Sequence, residues 1–260
     1  MHMLHHRGGR KNDGVGMWGV LAVAVIAVMI PVASAKADGM LTGWIVKVAA
    51  DKGAIHDEYV TYFSGESLPE GGWFDWSLPS PYTFANGLGQ LQTLNLSLND
   101  RCYEPDALSV ELAFSLVAGT SGATFTVTSA LLPIVVANPQ AYATAGVTVT
   151  DGEPYDTATL LGQYPDGKVY QTSYNNGTPW RTYIASPLVT GTGGTASSPP
   201  EPIVQEMIPA TVTNISSEFK FTLTPVDQAS GTSSFTILVP EPVTIGLLAI
   251  GAMFAGRRRR

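Results

Sequence analysis

Apolar and polar residues alternate along most of the chain. Leu94, Leu96 and Leu98 share one side of a run whose other side carries Thr93, Asn95 and Ser97. Between Ala107 and Val117, Leu108, Val110, Leu112, Phe114 and Leu116 repeat the same period of two, and Thr124–Thr128 alternates hydroxyls with Phe125 and Val127. Val147 and Val149 do likewise before Asp151-Gly152. A period of two is that of a half-buried β-strand, with one face on a core and one in water. Residues 157–163 and 168–174 flank Pro165-Asp166-Gly167, and Asn175-Asn176-Gly177 leads into residues 179–185. Proline fixes φ and glycine accepts positive φ, so the first tripeptide reads as a turn; Asn-Gly suits a type I′ hairpin. Strands are predicted again over 210–215, 218–224 and 233–239.

Residues 191–202 (GTGGTASSPPEP) have the composition of a long surface loop within one domain, because strands resume beyond them. Trp44–Val48 and Tyr59–Phe63 read as strands, and the Gly/Pro-rich aromatic stretch 70–84 as a loop crossing one end of the fold. No stretch of the body carries a 3.6-residue stripe. Nine or ten short strands separated by turns predict an all-β fold, an antiparallel β-sandwich of jelly-roll or immunoglobulin-like kind.

The two ends follow a different pattern. Arg7, Arg10 and Lys11 precede an apolar run from Met17 to Val32 and the small residues Ala33-Ser34-Ala35. That is the order of a secretory signal peptide, a signal helix with cleavage after Ala35 or Ala37. At the other end Pro240-Glu241-Pro242 is followed by a 14-residue apolar stretch, Val243–Gly256, and by Arg257, Arg258, Arg259 and Arg260. As a helix that stretch is about 21 Å long, short of a hydrocarbon core near 30 Å, so flanking residues or local thinning complete the span. The arginines hold their end on the cytoplasmic side. The prolines keep the motif just outside the bilayer extended, where a processing enzyme can grip it. The expected organisation is a signal peptide over 1–37, a β-sandwich ectodomain over 38–238 and a sorting tail over 239–260.

The Pro-Glu-Pro motif, short apolar helix and terminal arginine cluster resemble the PEP-CTERM sorting signal of Gram-negative bacteria. The resemblance covers residues 239–260 and implies sorting alone. In that family an integral-membrane, transpeptidase-like protease, exosortase, recognises the three-part tail and removes it as the body passes to the cell surface or extracellular matrix. It implies exosortase and the secretion machinery as partners and transient residence in the inner membrane through the tail helix. The bodies of such proteins are too diverse to imply an activity.

Export changes the charge picture. Over the full 260 residues the net charge is −7. Between Asp38 and Pro240 six basic and nineteen acidic residues leave −13. Such a surface repels nucleic acid and anionic polysaccharide and stays soluble by mutual repulsion.

Candidate chemistry is sparse. Cys102 is the only cysteine and His56 the only histidine outside the signal segment, so multi-histidine and multi-cysteine metal sites are excluded. A serine triad would have to use His56, and no Gly-x-Ser-x-Gly elbow exists to supply the serine. His56-Asp57-Glu58 reads as a solvated surface loop. Asp151, Glu153 and Asp156 cluster on a turn where oxygen ligands can hold calcium, though EF-hand spacing is lacking. Trp73, Trp76 and Tyr82, with Phe84 and the acids Glu66, Glu70 and Asp75 nearby, form a candidate platform for stacking on sugar rings. No cofactor is expected. The expected function is that of a non-enzymatic, exported surface or matrix protein with a structural or adhesive role. The alternative is a secreted carbohydrate-binding, or carbohydrate-cleaving, module that meets matrix polysaccharide. Ser/Thr-rich strands with few lysines also leave strand edges open to pairing between chains.

Overall fold

The computed structural model describes residues 43–63, 73–99, 107–199 and 201–238. The signal segment with Ala35 and Ala37, and the tail with Pro240, Glu241, Pro242 and Arg257–Arg260, lie outside the described residues. Among the described residues no helix is long and apolar enough to cross a membrane.

Within them the chain is all-β, two antiparallel sheets facing each other as a sandwich. It begins with the hairpin β1 (Trp44–Lys52) and β2 (Ile55–Tyr62), then the short β3 (Trp73–Ser77) and β4 (Tyr82–Phe84). Long strands follow: β5 (Gly89–Asn99), β6 (Ala107–Ala118), β7 (Ala123–Ser129), β8 (Leu132–Ala137) and β9 (Gln140–Thr150). Next come β10 (Thr159–Gly162), β11 (Lys168–Tyr174), β12 (Thr178–Ala185), β13 (Leu188–Val189), β14 (Thr195–Ser197) and β15 (Glu206–Met207). The chain closes with β16 (Thr211–Leu223) and β17 (Gln228–Leu238). One sheet runs β12-β11-β16-β7-β1-β2, with β8 and β10 also on β16 and β13 on β10; the other runs β14-β9-β17-β6-β5-β3, with β15 on β9 and β4 on β5.

The alternating runs become these strands because each buries one face. Leu94, Leu96 and Leu98 of β5 and Val110, Leu112, Phe114 and Leu116 of β6 are buried, while Asn95 and Ser97 point out with Ser115. At about 1.5–3 kcal/mol for each fully buried large aliphatic side chain, inversion of either register would forfeit a whole face. The centre is aromatic: Phe114 lies 5.0 Å from Phe219 and 5.9 Å from Phe221, and Phe125 lies 6.1 Å from Phe221. The turns behave as their residues require. Asn175, Asn176 and Gly177, the three residues between the paired Tyr174 and Thr178, have φ of 47°, 61° and 104°, a loop one residue longer than the two-residue type I′ hairpin, and Asp166 and Gly167 have 58° and 66°.

Some expectations change. The stretch 70–84 contains β3 and β4, both paired with β5, where a loop is expected. Residues 210–215 and 218–224 form the single strand β16, and the segment containing 191–202 contributes β14, which pairs with β9. Among the described residues seventeen strands stand where nine or ten are expected; β3, β4, β13, β14 and β15, of two to five residues, are too short to show a period.

Both open sides of the sandwich are closed. On one side, Tyr59 of β2 lies 5.2 Å from Tyr82 and 6.3 Å from Trp76, and Phe63 lies 5.0 Å from Phe74. On the other, residues 201–208 run as a strap. The Ile184 N–H donates to Glu201 Oε1 at 2.9 Å, Arg181 pairs with Glu206, and Ile208 N–H donates to the Pro139 carbonyl at 2.8 Å. The strap thus joins β12, an edge of the first sheet, to β9 in the second.

Candidate functional site

Of the aromatic platform read from the sequence, Trp76 and Tyr82 are half-buried and packed against the core, with their rings on Tyr59 across the seam. Trp73 opens β3 opposite Asn99. Asp57, on β2, fastens this corner. Its Oδ2 accepts the Ala85 N–H at 2.6 Å and the Tyr82 hydroxyl at 3.2 Å, and its Oδ1 accepts the Glu58 N–H at 2.9 Å. The Ala85 N–H above all holds the Asp57 carboxyl below its ordinary range. Of the acids read beside the platform, Glu66 and Glu70 lie outside the described residues, and Asp75 faces out, lining with Trp76, Asn95, Ser97 and Glu111 an open hollow of about 340 Å³.

His56, Asp57 and Glu58 belong to strand β2, not to a loop. His56 Nδ1 lies 2.6 Å from Asp51 Oδ1, and Glu58 pairs with Lys47 at 2.5 Å. The Asp51 hydrogen bond raises the His56 pKa above 6.5; the Lys47 hydrogen bond lowers that of Glu58.

The acids near the 151–156 turn serve the fold. Asp151 accepts the N–H groups of Glu153 at 3.0 Å and Gly193 at 2.6 Å, using both oxygens. The buried Asp227 accepts the Gly152 N–H at 3.1 Å and the Thr224 hydroxyl. Among the described residues no three acids, histidines or cysteines group as a metal site.

A further aromatic residue reaches the surface. Along β1 the ladder with β2 pairs Trp44 with Tyr62 but Val46 with Thr61, so one extra residue sits in β1. Ile45 and Val46 are both buried in consequence, and Trp44 is thrown to the outer face of the first sheet. There it lines an open trough of about 340 Å³ with Thr128, Leu131, Gln171, Ser173, Asn176, Ser216 and Glu218. Glu218 is held from two sides: Tyr164 donates its hydroxyl to Oε1, and Thr128 donates to Oε2 at 2.7 Å. Burial, and then the Glu218 charge, push the Tyr164 phenol far up, so it stays a proton donor. Gln171 donates Nε2 to Ser173 Oγ at 3.2 Å. Tyr62, opposite Trp44, is 66% exposed and Leu131 40%. Alternation alone puts Trp44 inside with Val46 and Val48. The sequence signal is limited to the paired apolar residues Ile45-Val46, which a strictly alternating strand does not contain.

No protein-family model matches the chain, and no curated protein matches it. Among solved structures, it is similar to one of the infectious bursal disease virus Gt strain, at 9% identity over 78% of this chain and 67% of that one, with a TM-score of 0.27. A structure of the Gx strain of that virus aligns at 11% identity over 77% of this chain and 58% of that one, also with a TM-score of 0.27. Likeness at that score carries no statement about fold family or function.

Proposed function

We propose that this is an exported protein of the cell surface or extracellular matrix, sorted by exosortase through its C-terminal tail, whose sandwich has a structural or adhesive role. One observation carries the reading: a signal-peptide pattern at one end coincides with Pro240-Glu241-Pro242, an apolar stretch and four terminal arginines at the other. The sandwich suits the role. Its sides are fastened by aromatic contacts and by a strap, and its outer faces carry hydroxyls and amides, with Thr148 bonded to Ser197 at 2.9 Å and Thr124 to Thr222 at 3.0 Å. Of the two sandwich kinds, the jelly roll is the better reading. β6 and β17 pair in one sheet while their chain neighbours β7 and β16 pair in the other, so a two-stranded ribbon folds over between sheets.

The test of sorting is Glu241→Ala in the full chain. The variant is expected to stay in the inner-membrane fraction while the parent reaches the surface or medium. Equal release of both overturns exosortase handling.

A second reading, carbohydrate binding, is favoured by the trough beside Trp44, where an aromatic ring, a fixed carboxylate and amide groups meet on an open face.

A further inference from the structure

We propose that the trough on the outer face of the first sheet, built on Trp44, Gln171, Ser173, Asn176 and Glu218, is a binding subsite for a neutral pyranose ring of a polysaccharide. The proposal rests on the carbohydrate-binding reading and gives it a place and a ligand class.

Three features define the chemistry. The first is the mixture of surfaces. A pyranose ring presents axial C–H bonds on its faces and hydroxyls around its rim; the C–H bonds are attracted to the negative face of an indole, and the hydroxyls need planar, polar partners. Trp44 and Leu131 supply the apolar part, and Gln171, Ser173, Asn176, Ser216 and Glu218 the polar part, around one opening. At about 340 Å³ it sits at the small end of the roughly 300–1,000 Å³ typical of small-molecule sites, the scale of one or two rings along an open chain.

The second feature is Glu218. A carboxylate has about four acceptor positions. Tyr164 occupies one on Oε1 and Thr128 one on Oε2, so each oxygen keeps capacity for another donor. Two adjacent oxygens with capacity to spare match two adjacent hydroxyls of a sugar. The side chain is already fixed, so little rotamer freedom is lost on binding.

The third feature is charge. No lining residue is basic; on the same outer face Lys47, two strands from Glu218, is engaged by Glu58, and Lys220 stands two residues along β16 from Glu218, outside the lining. With −13 on the exported part, a uronate or sulfated chain is repelled. Neutral sugar is the class that remains compatible with a trough centred on a carboxylate.

The test uses the purified full chain in native gels cast with dextran, with a mannan or with a β-1,4-glucan derivative, and with an alginate gel as the anionic comparison. The parent is expected to be retarded by at least one neutral polymer and not by alginate. Trp44→Ala and Glu218→Gln should each weaken that retardation about tenfold, Trp44→Tyr should keep most of it, and Trp76→Phe should leave it unchanged. Thermal melts report whether each variant folds; should Trp44→Ala fail to fold, Gln171→Ala, on the exposed face, takes its place with the same expectation. The proposal is overturned if no neutral polymer retards the parent, if alginate retards it most, or if Trp76→Phe loses retardation while folded Trp44 and Glu218 variants keep it. Sorting is read by fractionating cells and binding by gel mobility, so failure of one is distinguishable from failure of the other.

Discussion

Gly231 lies directly under the Phe114 ring: a Cβ built there would stand 2.5 Å from Phe114 Cε1 and 2.7 Å from Cζ. The ring cannot swing away, because Phe219 and Phe221 pack beside it and all three are buried. Gly231→Ala is therefore expected to lower stability by about 1–3 kcal/mol, the usual cost of overpacking a core. A denaturant titration checks this; an unchanged midpoint would mean that the ring has room to move. A second residue-scale expectation concerns His56. Its raised pKa means that the bond to Asp51 adds stability below pH 6.5 and that this contribution is lost as pH rises through the folded-state value. The imidazole should titrate above 6.5 in an NMR pH series, and Asp51→Asn should bring the midpoint back toward 6.5. Neither Gly231 nor the turning of Trp44 is legible in the sequence. A glycine inside a strand marks a close approach without naming what approaches, and a one-residue bulge depends on the partner strand.

At the scale of elements, what the sequence reveals depends on strand length. β5, β6 and β7 follow from their alternation, since seven to twelve residues give several periods; β16 is read as two strands and β17 only over its second half. β3 and β4 do not follow in this way. WFDWS and YTF are held by pairing to β5 and by rings that close the seam, forces that act between segments distant in sequence. The Asp57 clasp is such a force, and its removal tests the seam. Asp57→Ala leaves the Ala85 and Glu58 N–H groups without their carboxylate. Hydrogen bonds to charged groups contribute about 1.5–3 kcal/mol, discounted here to about 1 kcal/mol because water reaches the site. Tyr82→Phe removes only the 3.2 Å bond and keeps the ring contacts with Tyr59 and Phe84, so its effect should be smaller. Amide hydrogen exchange should show faster exchange in β4 for Asp57→Ala than for Tyr82→Phe. The reverse order would place the strength of the seam in the phenol instead.

For the whole molecule, the −13 charge between Asp38 and Pro240 and the local carboxylate bonds pull stability in opposite directions with pH. At neutral pH nearly all nineteen acids are ionised, and folding brings them closer together, so self-repulsion opposes the compact state. Lowering the pH toward about 4, the ordinary carboxylate range, removes that repulsion. Asp57 and Glu58 run the other way. Their folded-state values lie below 3.8 and 4.5, so their bonds to Ala85 and Lys47 contribute fully above those ordinary values and are lost as pH falls through the lowered ones. Stability should therefore rise as pH drops from 7 toward the carboxylate range and fall again below it. Salt separates the two causes. Raising ionic strength from about 0.01 to 0.15 M shortens the screening length from about 30 to 8 Å, which weakens long-range repulsion but not bonded pairs. Melting temperatures of the full chain should climb with salt at pH 7 and change little near pH 4. A melting temperature at pH 7 that ignores salt would show that the acids are spaced too widely to repel, and the maximum would then move up to neutral pH.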